Sequence, residues 1–350
     1  MSKIIVKKKC HKTNFPVASR MFNVTFTQLK QFSLDIDNAR KNLYTPKKEL
    51  LIDNNIIVNL NDFSQIKEGR FTVKTEVVDF DCLYKDNKQE KLYVLLSAGI
   101  TNNSKIPEFQ RWSYEAFLDG NVLCVADPMY KIHKGLYVGW YYGTETVCYL
   151  DHLVRVIEEF AKQFKIKPQN IVFSGSSSGG YASIYLASKI KHSNCLAIKP
   201  QIKMSLFPYY NDFVKITGLN PEEDFFNRND ISKTFLENNT SNFVLVESCR
   251  SHTDIDQISY ICDKLKTNFE YGLSQIKKNV TILAYDTGIN VNTHRFVETK
   301  TIMWALTNLV DEIKNKKGIS KLKNEYMLIC ELWTEIANLN QQLDNEKNKK

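Results

Sequence analysis

Ile171-Val172-Phe173-Ser174-Gly175-Ser176-Ser177-Ser178-Gly179-Gly180-Tyr181-Ala182 is the stretch on which the reading of this chain turns. An apolar run leads in, and Tyr181, Ala182, Ile184, Tyr185, Leu186 and Ala187 lead out as a helix, so the segment reads as strand, sharp turn and helix. A turn this sharp holds the residue at its apex, Ser177, in a strained conformation. Side chains two positions to either side would collide there, which accounts for Gly175 and Gly179. The turn also aims a helix N-terminus at the serine, where the backbone N–H of Ser178 can stabilise a developing oxyanion. Neither G-x-G-x-x-G nor a Walker lysine accompanies the pattern, which argues against a phosphate-cradling loop.

Outward from this turn, apolar strands alternate with helical periods. The strands are Phe71 to Cys82, Leu92 to Ala98, Val122 to Ala126, Ile171 to Phe173, Cys195 to Ile198, Phe243 to Val246 and Val280 to Ala284. Alternation of this kind predicts a mostly parallel sheet flanked by helices, in the α/β class and, with the serine turn, of α/β-hydrolase type. The helix before the key strand is marked by Leu150, Leu153, Val154, Ile157, Phe160, Ala161 and Phe164 at three- and four-residue steps, with Pro168 as its stop. Residues 1–70 are polar and irregular and read as an N-terminal accessory region; residues 71–315 form the α/β-hydrolase-like domain. In 320–350, Leu322, Ile329, Ile336 and Leu343 fall seven apart, with Leu332 and Leu339 between them. That segment is an amphipathic helix, which either forms a coiled coil or packs back on the domain.

A serine hydroxyl is a poor nucleophile until a base takes its proton, so the turn calls for a histidine elsewhere. Of the six histidines, His294 is the one in the expected order, after the strand Val280 to Ala284 and before the helical run Val297 to Val310. The acid that orients it belongs after the strand ending at Glu247, where Asp254 is the first choice and Asp256 the second. Either aspartate also suits a helix N-terminus. A second oxyanion donor is expected from the backbone after Leu92 to Ala98, around Gly99 and Ile100.

With 350 residues, 43% of them hydrophobic, the chain can bury a large core. Its net charge of +8 is concentrated partly in terminal lysines such as Lys7 to Lys9 and Lys349 to Lys350, without a nucleic-acid-reading motif, so no nucleic-acid partner is expected. The eight cysteines form no C-x-x-C pair and no cluster with histidine, so no metal is expected. No run approaches the roughly 18 apolar residues of a membrane span. The expected setting is cytoplasmic, with the inner face of the membrane as a place of peripheral contact.

Several further elements carry a family resemblance: Leu96-Ser97-Ala98-Gly99, Phe109-Gln110-Arg111-Trp112-Ser113, Ala126-Asp127-Pro128, Gly139-Trp140-Tyr141-Tyr142-Gly143, then the serine turn and Pro200-Gln201. In this order, over roughly residues 71–313, the chain resembles the α/β-hydrolase-like proteins encoded in bacterial capsular polysaccharide loci. Some of these are similar to O-acetyltransferases, which move an acetyl group from acetyl-coenzyme A to sugar hydroxyls through an acyl-serine. The resemblance implies Ser177 as nucleophile, His294 as base and Asp254 as acid, acetyl-coenzyme A as co-substrate, and a polysaccharide or sugar as acceptor. Trp140, Tyr141 and Tyr142 would then form an aromatic platform for pyranose rings, with Gln201 as a further substrate contact. Arg111, Lys131 and Lys134 would meet the coenzyme's phosphates. Lys199 departs from the pattern, since Asn precedes Pro-Gln in the proteins resembled. Two alternatives stand beside the transferase: a carbohydrate or small-ester esterase, and a non-catalytic docking subunit of a polysaccharide-assembly complex, or a homo-oligomer, held through the C-terminal helix.

Overall fold

The computed structural model describes residues 48–53, 56–249, 251–285, 294, 298 and 300–315, with Leu322, Lys323, Tyr326, Met327, Cys330 and Glu331. Ten strands form one sheet among these residues: β1 (Ile57–Asn59), β2 (Gly69–Lys74), β3 (Asp79–Lys85), β4 (Leu92–Leu96), β5 (Asn121–Val125), β6 (Ile171–Ser176), β7 (Asn194–Ile198), β8 (Asn242–Ser248), β9 (Gly272–Lys277) and β10 (Val280–Tyr285). Their order is β1-β2-β3-β5-β4-β6-β7-β8-β10-β9. From β5 to β10 every neighbouring pair is parallel, while β3 pairs antiparallel with both β2 and β5, and β9 with β10.

The continuous apolar runs of the central strands follow from burial on both faces. Leu92, Val94 and Leu96 of β4 face one core layer and Tyr93 and Leu95 the other. The first layer is closed by α2 (Tyr149–Gln163), α3 (Ser178–Lys189) and α6 (His252–Leu265), and the second by α7 (Lys300–Lys314). Three shorter helices, α1 (Met129–Ile132), α4 (Tyr210–Thr217) and α5 (Ser232–Leu236), lie in the connections. The predicted stripe of α2 is observed, with Leu150, Leu153, Ile157 and Phe160 buried. The helix ends at Gln163, ahead of Pro168, where Lys165 takes a left-handed φ of 55° and Ile166 N donates to Ala161 O at 2.8 Å.

Two expectations change. The run Phe71 to Cys82 is a hairpin, β2 and β3, because Thr75 Oγ1 accepts from the N–H groups of Val77 and Val78 and donates to Val78 O, turning the chain back. The sheet also begins at Ile57, inside the segment read as an accessory region, whose residues 1–47 lie outside the described residues. At the other end Leu322, Tyr326 and Cys330 are buried in the second core layer, and Tyr326 Oη donates to Ala305 O at 3.3 Å. The described part of that segment therefore packs back on the domain. Ile329, Leu332, Ile336, Leu339 and Leu343 lie outside the described residues.

Candidate active site

The parallel order brings the C-terminal ends of β4, β6, β8 and β10 to one edge of the sheet, where open α/β sheets form their clefts. Ser177 stands between β6 and α3 at φ 53° and ψ −120°, a left-handed conformation a serine adopts only under constraint. A Cβ on Gly175 would come within 2.5 Å of the Gly179 carbonyl carbon, and one on Gly179 within 2.5 Å of Leu96 O. The two glycines are thus required by backbone packing, as the steric reading of the turn predicts.

His294, in the connection from β10 to α7, places Nε2 at 3.0 Å from Ser177 Oγ and Nδ1 at 2.5 Å from Asp254 Oδ1. Asp254 occupies the first turn of α6, capped by Ser251, whose side chain accepts from Asp254 N. It is buried, whereas Asp256 is exposed two residues on, so of the two aspartates it is Asp254 that meets the imidazole. Phe207 packs against the His294 ring at 5.2 Å between centroids. An ionised Asp254 can only accept, which places the imidazole proton on Nδ1 and leaves Nε2 to accept from the serine hydroxyl. A hydroxyl so engaged can lose its proton to the imidazole as it attacks an acyl carbon.

The fold is that of the α/β-hydrolases. No protein-family model and no curated protein matches the chain by sequence. Among solved structures the α/β-hydrolase-like domain is similar to part of the Glycosylation Associate Protein (Gap123) complex from Streptococcus agalactiae. That match has a TM-score of 0.50 at 15% identity and covers 69% of this chain and 45% of that one. The capsule O-acetyltransferase of Neisseria meningitidis serogroup A matches with a TM-score of 0.48 at 15% identity, over 73% of this chain and 98% of that one. An S-formylglutathione hydrolase from Agrobacterium tumefaciens matches with 0.45 at 14% identity, over 74% of this chain and all of that one, 100%. At these identities the likeness describes the fold alone.

Several expected contacts are relocated. Trp140, Tyr141 and Tyr142 are buried and present no face to solvent, so they do not form a platform for sugar rings. Tyr141 Oη donates to Val125 O at 2.7 Å and accepts from Ser97 N, which ties the end of β4 to β5. Tyr142 stacks under the Arg228 guanidinium at 3.8 Å. Trp140 Nε1 donates to Gln201 Oε1 at 2.5 Å, and Gln201 Nε2 donates to Ser177 Oγ at 2.7 Å. Gln201 therefore belongs to the serine itself. Ile100 N–H is consumed by Tyr137 O at 2.9 Å and cannot serve an oxyanion. Ala98 N and Gly99 O are bridged by the side-chain amide of Gln110, at 3.0 and 3.1 Å, so the backbone after β4 is held rigidly. Ser178 remains at the first position of α3, beside Ser177.

Arg111 does not face outward to a coenzyme. Its Nη2 donates to Glu298 Oε2 at 2.7 Å, and Lys199 Nζ lies 3.4 Å from Glu298 Oε1, all three side chains being buried. Burial alone would raise the pKa of Glu298, but the cations of Lys199 and Arg111 hold it below the usual range, so the carboxyl is ionised. Glu247, at the end of β8, is the opposite case: burial, with the nearby Asp254 charge, pushes its pKa well up against the pull of Lys199. Lys131 pairs with Asp81. Lys134 is exposed beside a cavity of about 200 Å³ lined by Thr101, Ser104, His133 and Tyr137 among others. The Glu298 cluster and the Gln201 bond carry no sequence periodicity; the one cue was Lys199 in place of Asn. Among the described residues no group of His, Cys, Asp and Glu is arranged to hold a metal ion.

Proposed function

We propose that the protein is a serine-dependent O-acyltransferase that moves an acetyl group from acetyl-coenzyme A to a hydroxyl of a bacterial capsular or surface polysaccharide. The observation that carries this reading is the hydrogen-bonded line Ser177 Oγ to His294 Nε2 at 3.0 Å and His294 Nδ1 to Asp254 Oδ1 at 2.5 Å, set on a strained strand-to-helix turn. His294 takes the serine proton as Oγ attacks the thioester carbon; the tetrahedral adduct collapses, and the expelled thiolate receives that proton. His294, neutral again, takes the proton of an acceptor hydroxyl, which attacks the acyl-serine. Collapse of the second adduct returns a proton to Ser177 and leaves the acetyl ester on the acceptor. Asp254 stays ionised throughout and steadies the imidazolium.

Transfer rather than hydrolysis requires an acceptor that outcompetes water for the acyl-serine. Among the described residues no helix is long and apolar enough to cross a membrane, and the reading places the protein in the cytoplasm, meeting assembling polysaccharide at the inner face of the membrane. Intact-protein mass spectrometry after mixing with acetyl-coenzyme A, without acceptor, tests the reading. A single acetyl adduct on wild type and none on Ser177→Ala is expected. No adduct together with no released coenzyme A would sink the acetyl-donor assignment, and steady ester turnover without any acceptor would move the assignment to an esterase.

A further inference from the structure

We infer that the side-chain amide of Gln201 is an oxyanion-hole donor, aimed by the indole of Trp140; this rests on the acyl-serine reading above. Gln201 Nε2 lies 2.7 Å from Ser177 Oγ, and Gln201 N donates to Ser177 O at 3.3 Å, so the residue is fixed to the serine by backbone and side chain together. An amide can be flipped end for end, but here the choice is forced. Indole Nε1–H only donates, so the group it meets at 2.5 Å is the amide oxygen, and the NH2 must face Ser177. Trp140 has no freedom to release it, being fully buried with the rings of Phe207 and Phe213 edge-on at 6.2 and 5.2 Å.

The chemistry of the serine assigns the role. In the free enzyme Oγ donates to His294 Nε2 and accepts from Gln201 Nε2. When Oγ bonds to an acyl carbon its proton passes to His294, and its lone pairs become those of an ester oxygen, a weak acceptor. The negative charge appears on the former carbonyl oxygen, attached to the same carbon. The Gln201 amide is already in contact with Oγ, and the growing oxyanion is the stronger acceptor within its reach. Gln201 gains and loses no proton in this exchange. Of the backbone after β4, the Ile100 N–H is spent on Tyr137 O, and the amide supplies a donor in its place. Ser177, Trp140 and Lys199, at φ 53°, 54° and 46°, all hold left-handed backbones, so the chain is constrained on each side of this contact.

The test is pre-steady-state acylation of the full-length protein by p-nitrophenyl acetate, read as the rate of the nitrophenolate burst. Gln201→Ala is expected to acylate roughly 10²- to 10³-fold more slowly, the cost of losing one oxyanion donor, with KM for the ester nearly unchanged. Gln201→Glu, which keeps the shape but replaces the donor by an acceptor, should be no faster. Trp140→Phe keeps a ring in the core but frees the amide, and should lower kcat while leaving KM close to wild type in the folded protein. Bursts within about threefold of wild type in folded Gln201→Ala and Trp140→Phe overturn the assignment while leaving the acyl-serine intact. No burst from wild type, and no acetyl adduct from acetyl-coenzyme A, overturns both together.

Discussion

Asp127 shows how a single residue outside the reacting groups governs the site. Its carboxylate accepts from Met129 N at 3.0 Å and Tyr141 N at 2.9 Å, and so holds the turn that carries Trp140 towards Gln201. Burial pushes its pKa up to about 7 from 3.8, with the two amide bonds pulling the other way. A carboxyl raised in the folded state binds its proton more tightly there than in the unfolded chain. The resulting stability is complete below about pH 4 and is lost as pH rises through about 7, up to an upper bound of about 4 kcal/mol. Urea unfolding of wild type and Asp127→Asn between pH 4.5 and 8 reads this directly. Asp127→Asn costs stability at low pH, since one amide oxygen cannot satisfy both N–H groups, and its curve should fall less steeply as pH rises. Parallel curves would assign the carboxyl an ordinary pKa.

At the scale of elements, Glu298 joins three of the segments around Ser177. Arg111 comes from the connection between β4 and β5, Lys199 from the end of β7, and Glu298 from the chain four residues beyond His294. Removing the anion breaks the buried ion pair with Arg111, a change that typically costs about 3–5 kcal/mol. Glu298→Gln is expected to lose stability of that order and, in the fraction that folds, to lose kcat because His294 is no longer held over Ser177. Denaturant unfolding together with burst kinetics checks both; a folded Glu298→Gln with wild-type kcat would limit the cluster to stability. The turn itself is equally intolerant. Gly179→Ala forces a methyl against Leu96 O, 2.5 Å from where it must sit, and should cost about 1–3 kcal/mol of overpacking with loss of acylation.

Across the whole molecule, protection runs from the middle of the sheet outward. β4, β6 and β7 have paired strands on both sides and helices on both faces, and their residues are almost all buried. At the edges β1 is three residues long with two of them exposed, and β9 is only half buried. Native-state amide exchange should be slowest in β4, β6 and β7 and fastest in β1 and β9, which open without disturbing the core. Because Ser177, Asp254 and His294 follow β6, β8 and β10, the side chains of the candidate site lean on the more protected part of the sheet. Equal exchange in β1 and β6 would show a molecule that opens only as a unit.

The serine turn was legible because its constraint is local: Gly175 and Gly179 stand two residues either side of Ser177, and the steric collision that demands them is visible in five consecutive letters. The central strands and the face of α2 were legible for a similar reason, since burial imposes its period on neighbouring positions. His294 could be chosen by its order in the chain, but Asp254 and Asp256 offer the same carboxyl two residues apart, and only the packing of α6 decides which one meets the imidazole. The run Trp140-Tyr141-Tyr142 has the composition of a sugar platform and of a core alike, and the sheet buried it. Gln201 pairs with Trp140 across 61 positions, and Arg111 with Glu298 across 187. Short-range sterics and periodicity are therefore written in the sequence itself, whereas the partners of a lone buried amide or charge exist only once distant segments have been packed together.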